Sequence, residues 1–194
     1  GLRRASRYVY LTAPQRQGPV MTASTVLDSF LFRDAFGTAA MREIFSDTAL
    51  VARYVDVEVA LAKAEARVGV IPQAAADEIA RRADASKFDV ELLGRETDLV
   101  GYPILPVVHQ LVKQCGESGR YVHWGATTQD IVDTAVVLQM RDALTIVGDD
   151  IASLRTILAG LAQKHCDTAM AGRTHLQQAL PVTFGYKAAI WLAM

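Results

Sequence analysis

Residues 130–164 read DIVDTAVVLQMRDALTIVGDDIASLRTILAGLAQK, and the spacing of their apolar side chains decides the fold. Met140, Leu144, Val147, Ile151, Leu154, Leu158 and Leu161 recur at alternating steps of four and three, the seam of a packed helix. A helix over this stretch is about 50 Å long at 1.5 Å per residue, far beyond the usual three to four turns. Helices of that length belong to bundles, so the stripe is assigned to core packing and to no chemistry.

Working toward the N-terminus, Asp47 is a candidate cap for a helix that runs to Gly69, with Leu50, Val51, Tyr54, Val57, Leu61 and Ala64 on one face. Pro72 opens a second helix carrying Ala75, Ala76, Ile79, Ala80 and Ala83, and the short loop between them makes an αα-hairpin. A short helix over residues 90–95 and another after Pro106 (Val107, Val108, Leu111, Val112) follow, ending near Gly116 and Gly119. Toward the C-terminus, a polar loop over residues 171–178 leads to a helix opening at Pro181. That helix stays apolar to Met194 with no stop signal, so it and the long helix read as half of a bundle. No strand pattern of any length competes; residues 121–124 are too few to decide. The expected architecture is all-α. A small helical domain spans residues 21–117, and the first long helices of a central bundle, cut short at Met194, span residues 118–194. Residues 1–20 carry Arg3, Arg4, Arg7 and Arg16 and no acid; they read as an added or disordered tail, with Met21 as the native start.

A chain of 194 residues is long enough to bury about 70% of its unfolded surface. With 51% hydrophobic and 21% charged residues, 13 Gly and 6 Pro, disordered, collagen-like and disulfide-dense classes are excluded. Lys and Arg number 20 against 21 acidic residues, so no positive field gathers nucleic acid or an anionic membrane. No apolar run reaches the length of a membrane span. Cys115 and Cys166 lack zinc-ligand spacing, which leaves no metal site, and both are expected as buried reduced thiols of a cytoplasmic protein.

Two polar segments interrupt the apolar helices. In the first, residues 123–130 (HWGATTQD), two hydroxyls and an amide precede a helix whose free N–H groups and dipole favour a carboxylate or phosphate. On spacing alone, Thr127 or Thr128 serves equally as a plain cap, with Asp130 in the first turn. In the second, residues 172–181 (GRTHLQQALP), His175 stands between a hydroxyl and two amides, a setting for a proton donor or simply a solvated histidine. His109 on an apolar helix and His165 near a helix C-terminus have structural explanations.

Together the segments HWGATTQDIVDTA (residues 123–135) and GRTHLQQALPVTFGYK (residues 172–187), joined by one long helix, resemble the first two motif regions of the fumarase/aspartase superfamily. Upstream, MREIFSD (residues 41–47) and VEVALAKAEARVGVIP (residues 57–72) are similar to the branch of adenylosuccinate lyases and 3-carboxy-cis,cis-muconate cycloisomerases. The resemblance covers residues 30–194. It implies a cofactor-free addition or elimination through an aci-carboxylate intermediate on a small di- or tricarboxylate. It also implies a homotetramer whose packed long helices share each site among subunits. By position, Thr127 and Thr128 would hold a substrate carboxylate with Gln129 and His123 close by. Thr174, His175 and Gln177 would form the second face, His175 as proton donor or charge-orienting partner. Preorganised N–H, O–H and imidazole donors suit a dianionic intermediate.

The departures choose within the branch. Ala35 and Phe36 stand where adenylosuccinate lyases usually carry an Arg-Tyr pair for the nucleotide, and VGYPILP (residues 100–106) replaces their Arg-His-Asp-Val box. The latter version is similar to the cycloisomerases, so cycloisomerisation of 3-carboxy-cis,cis-muconate to a lactone is the leading expectation. A lyase releasing fumarate from a substituted succinate is the second, and a non-catalytic helical assembly piece the third. The superfamily's third motif, a Gly-Ser-Ser-x-Met-Pro loop with the serine base, is expected beyond Met194.

Overall fold

The computed structural model describes residues 25–194; the readings of residues 1–20 as a tail and of Met21 as a start lie outside them. The chain divides into two compact units, one ending at Thr38 and one running Ala39–Met194. Among its described residues the first contributes a single short helix, α1 (Arg33–Phe36).

The second unit begins with α2 (Ala39–Ile44) and α3 (Asp47–Arg67). Ser46 Oγ accepts the N–H of Ala49 at 3.1 Å, so the cap of α3 is Ser46 and Asp47 is its first helical residue. Gly69, at φ +79°, ends the helix as expected. Helix α4 (Gln73–Arg82) follows Pro72, which stands at the cap position, and packs back on α3 as the predicted αα-hairpin. Helix α5 (Val90–Val100) runs on past Arg95, held at its start by Asp89 and closed by Gly101 in the left-handed region. Helix α6 (Ile104–Cys115) starts ahead of Pro106, which fits the first turn because no N–H is needed there. A 3-10 turn, Gly116–Tyr121, follows. Tyr54, Val55, Ala62, Ala76, Ile79, Val107, Leu111, Ile131 and Ala135 form the common core under these helices. Cys115 lies in it, whereas Cys166, expected as buried, is exposed in the turn after the longest helix; neither is paired.

That longest helix, α7 (Thr128–Lys164), has 37 residues and starts slightly before the expected Asp130. Its first third rests on α3 and α2: Ile131 and Ala135 enter the core, and buried Gln139 donates from Nε2 to the Ile44 carbonyl at 2.7 Å. Arg53 Nη2 reaches Asp142 Oδ2 at 2.5 Å, tying α3 to the next turn. Beyond that point the helix outruns its supports. The seam was expected to be core, yet Met140, Leu144, Val147, Ile151 and Leu154 are 40–65% exposed, and only Leu158 is fully buried. The cause is length: α7 extends about 55 Å and α3, with 21 residues, about 31 Å.

The expected loop at residues 171–178 is an antiparallel hairpin, β1 (Ala169–Thr174) and β2 (Gln177–Thr183), with Thr174 opposite Gln177. The next helix, α8 (Phe184–Ala193), therefore opens after Thr183, whose Oγ1 accepts the Tyr186 N–H at 3.1 Å, and not at Pro181. Pro181 is tolerated in β2 because a two-stranded sheet has only edge strands. Helix α8 packs against the last turns of α7 at Gly185, where a Cβ would lie 2.5 Å from the Ala162 carbonyl oxygen and 2.6 Å from that of His165. Apart from this hairpin the fold of the described residues is all-α, as expected.

Gly185→Ala should destabilise the protein by about 1–3 kcal/mol, because backbone must move to admit a methyl group. Gly94→Ala, mid-helix in α5 with nothing within 4 Å, should stabilise it by about 0.5–1 kcal/mol. Urea unfolding of both variants checks the pair; opposite signs from those stated would contradict the packing described.

Candidate functional site

The turn between the 3-10 segment and α7 carries the first predicted segment. Buried Val122 anchors it, His123 and Gly125 take left-handed backbone (φ +59° and +68°), and Thr127 caps α7. Asp130 Oδ2 turns back to accept the N–H of Thr127 at 2.9 Å, which fixes the first turn. Thr128 is the first helical residue, so its N–H and that of Gln129 have no acceptor within the helix. Thr127 is thus a cap, and the same helix end carries free donors and the positive end of a dipole, the electrostatics that favour an anion. The Gln129 amide is engaged along its own helix, donating to Asp133 Oδ1 at 2.5 Å.

Beneath the turn lies a residue the sequence reading did not single out. Glu58, on the buried side of α3 and only 1% exposed, places Oε1 2.6 Å from Nδ1 of His123, whose side chain is 20% exposed. Glu65 follows two turns later on the same face, its Oε1 beneath Gly125. Oε2 of each carboxylate is buried without a hydrogen-bond partner among the described residues. Burial pushes the Glu58 carboxyl up, and the hydrogen bond and charge of His123 pull it partly back. The Glu65 carboxyl is pushed up by burial and then by the charge of Glu58. A signal was present in the sequence: Glu58 interrupts the apolar stripe of α3, four residues after Tyr54.

The second segment is the tip of the hairpin. His175 and Leu176 form a two-residue turn at φ +38° and +63°, conformations that non-glycine side chains disfavour. Thr174, His175 and Gln177 are all exposed, and Leu176 is fully so. A concave surface of about 650 Å³, lined by Gly172, Thr174, Leu180, Tyr186, Lys187 and Trp191 among others, lies along the hairpin and α8. His165 is occupied structurally, edge-on to Phe184 with centroids 5.2 Å apart, and His109 is exposed on α6.

The two segments do not meet within one chain. They sit at opposite ends of α7, about 55 Å apart along its axis. A hairpin whose longer strand has seven residues reaches about 24 Å, well short of that distance. His123, Thr127, Thr128 and Gln129 therefore form one cluster of the candidate residues, and Thr174, His175 and Gln177 another. Among the described residues no group of three or more His, Cys, Asp or Glu is placed to hold a metal, and no helix is long and apolar enough to cross a membrane.

A family model described as "Lyase" matches residues 35–194. The chain belongs to the fumarase/aspartase superfamily. It is 47% identical to N-acetyl-S-(2-succino)cysteine lyase of Dickeya dadantii, over 88% of this chain and 37% of that protein. Among solved structures it is similar to a fumarate lyase from Mesorhizobium sp. BNC1, with TM-score 0.74 and 57% identity over 79% of this chain and 36% of that one. It is likewise similar to beta-carboxy-cis,cis-muconate cycloisomerase from Acinetobacter calcoaceticus sp. ADP1, with TM-score 0.82 and 46% identity over 84% and 39% of the two chains. The chain thus spans under two fifths of the length of the relatives it matches.

Removing the half-buried carboxylate at Glu65, whose Oε2 is shielded from solvent, tests the electrostatics of the turn. Its raised pKa means that the folded state holds the proton more tightly than the unfolded state. Its ionisation therefore lowers stability as pH rises through the carboxylate range. Relative to the unsubstituted protein, Glu65→Gln should be more favourable at about pH 8 than at about pH 4 in urea unfolding. The opposite trend would show that Glu65 is ionised and well paired in the fold.

Proposed function

We propose that this chain forms part of an enzyme that adds or eliminates a group on the carbon next to one activated by a carboxylate, through an aci-carboxylate intermediate. The observation that carries this reading is the start of α7, where Thr127, Thr128 and an imidazole seated on a buried carboxylate converge on exposed helix N–H groups. Such preorganised donors stabilise negative charge as it develops, each lowering a barrier by on the order of 3 kcal/mol. Thr127 and Thr128 hold a substrate carboxylate, His123 and Gln129 flank it, and Thr174, His175 and Gln177 form the opposite face. His175 donates the proton or orients charge. The substrate is a small di- or tricarboxylate.

The two half-sites belong to different copies of the chain. Two α7 helices running antiparallel across the exposed seam bring the start of one beside the end of the other. The hairpin of one copy then faces the His123–Thr128 turn of its neighbour. Covering five seam residues that are 40–65% exposed supports such pairing. A homotetramer is the assembly we assign, in a cytoplasmic setting that two unpaired cysteines support.

The specific reaction we favour is closure of 3-carboxy-cis,cis-muconate to its lactone. The Gly-Tyr-Pro stretch after Val100 and the likeness to a cycloisomerase structure support it. Release of fumarate from a substituted succinate is the second reading, supported by the likeness to a 2-succinocysteine lyase and a fumarate lyase. Incubating the full-length protein with each substrate separates them: lactone from carboxymuconate is expected, and fumarate release with no lactone would replace the first reading by the second. Thr128→Ala and His175→Ala should each lower kcat/KM about 100-fold. Mixing the two inactive proteins under conditions that allow subunit exchange should restore about a quarter of the activity or less, from sites that combine intact halves. No recovery would put both halves in one chain.

A further inference from the structure

Glu58 stands where α3 meets the core, beside Tyr54 and Ala62, and only 1% of it is exposed. A carboxylate in such a position is costly unless something needs its charge, and an apolar side chain would serve packing better. The group it meets is His123, at 2.6 Å from Oε1 to Nδ1, on a turn whose backbone holds a non-glycine residue at φ +59°. A disfavoured conformation and a buried carboxylate thus converge on one contact. Oε2 has no partner among the described residues, so His123 is the one hydrogen-bonding group seen on Glu58 there.

We infer that Glu58 is a positioning residue for His123: its Oε1 accepts the Nδ1–H, which fixes the ring's orientation and leaves Nε2 as the nitrogen turned to substrate. In the neutral imidazole this contact selects the tautomer, because the nitrogen that donates to Glu58 cannot also be the acceptor. Nε2 then carries a lone pair that can take a proton, and once protonated it donates to an anionic group while Nδ1 keeps its bond. Free histidine favours the opposite tautomer only slightly, so a single charge-assisted bond suffices to reverse the preference. The assignment rests on the reading of the turn at His123 and Thr128 as a carboxylate-binding half-site.

The test is the nitrogen spectrum of the ring. In full-length protein labelled with 15N-histidine, His123 is assigned by its loss in His123→Gln, and its neutral form should show a protonated Nδ1 and an unprotonated Nε2. Glu58→Gln, nearly isosteric and able to offer either an oxygen or an NH2 group to Nδ1, should remove that preference. It should also lower kcat at least 10-fold with a smaller change in KM, while circular dichroism stays the same. A wild-type ring protonated at Nε2, a tautomer unchanged by Glu58→Gln, or a changed tautomer with full turnover would each overturn the inference. The wild-type spectrum decides the first point even where the variant does not fold. Failure of the underlying site reading is seen separately, as unchanged turnover in Thr128→Ala.

Discussion

The length of α7 governs everything else in this molecule. A helix of 37 residues cannot be covered by α3 at one end and the ten residues of α8 at the other. Its middle turns keep an apolar stripe in the open, and the segments at its two ends stay about 55 Å apart. Burying a leucine-sized side chain stabilises by about 1.5–3 kcal/mol, so covering the bare stripe is what the proposed pairing of chains would gain. The same separation keeps the two candidate clusters of one chain from forming a single pocket.

At each end the local chemistry is set by how a helix starts or stops. Asp130 and Thr127 shape the first turn of α7, which leaves the next N–H groups facing outward. Glu58 reaches up from α3 to seat His123 beside them. At the other end Gly185 lets α8 close on α7 backbone to backbone, and this fixes the base from which the hairpin projects. Helix ends supply donors without side-chain entropy, which suits the binding of small, highly charged anions in a protein of near-zero net charge.

The helices were legible because their burial is periodic: α3, α4 and α6 show the apolar spacing that their core contacts require. The hairpin was not legible. Its strands are mostly exposed, include Gly172 and Pro181, and turn at His175 and Leu176 without the Asn-Gly or Asp-Gly signal, so neither alternation nor turn chemistry marks them. The seam on α7 is legible as an apolar stripe, but periodicity reports that a face is apolar and not what covers it, and most of this one is exposed. The site residues came from a resemblance between motifs. Glu58 was missed because its partner lies 65 positions away.

The central claim is that the half-sites of one chain are far apart and those of neighbouring chains are close. Spin labels on cysteines introduced at Trp124 and Leu176, with exposed Cys166 replaced by Ser, test it by pulsed electron resonance in the full-length protein. Doubly labelled chains diluted into unlabelled ones should give only a long distance, on the order of 50 Å. Mixed singly labelled chains should give a short one, under about 20 Å, as expected for paired helices. A short distance within diluted, doubly labelled chains would contradict the account.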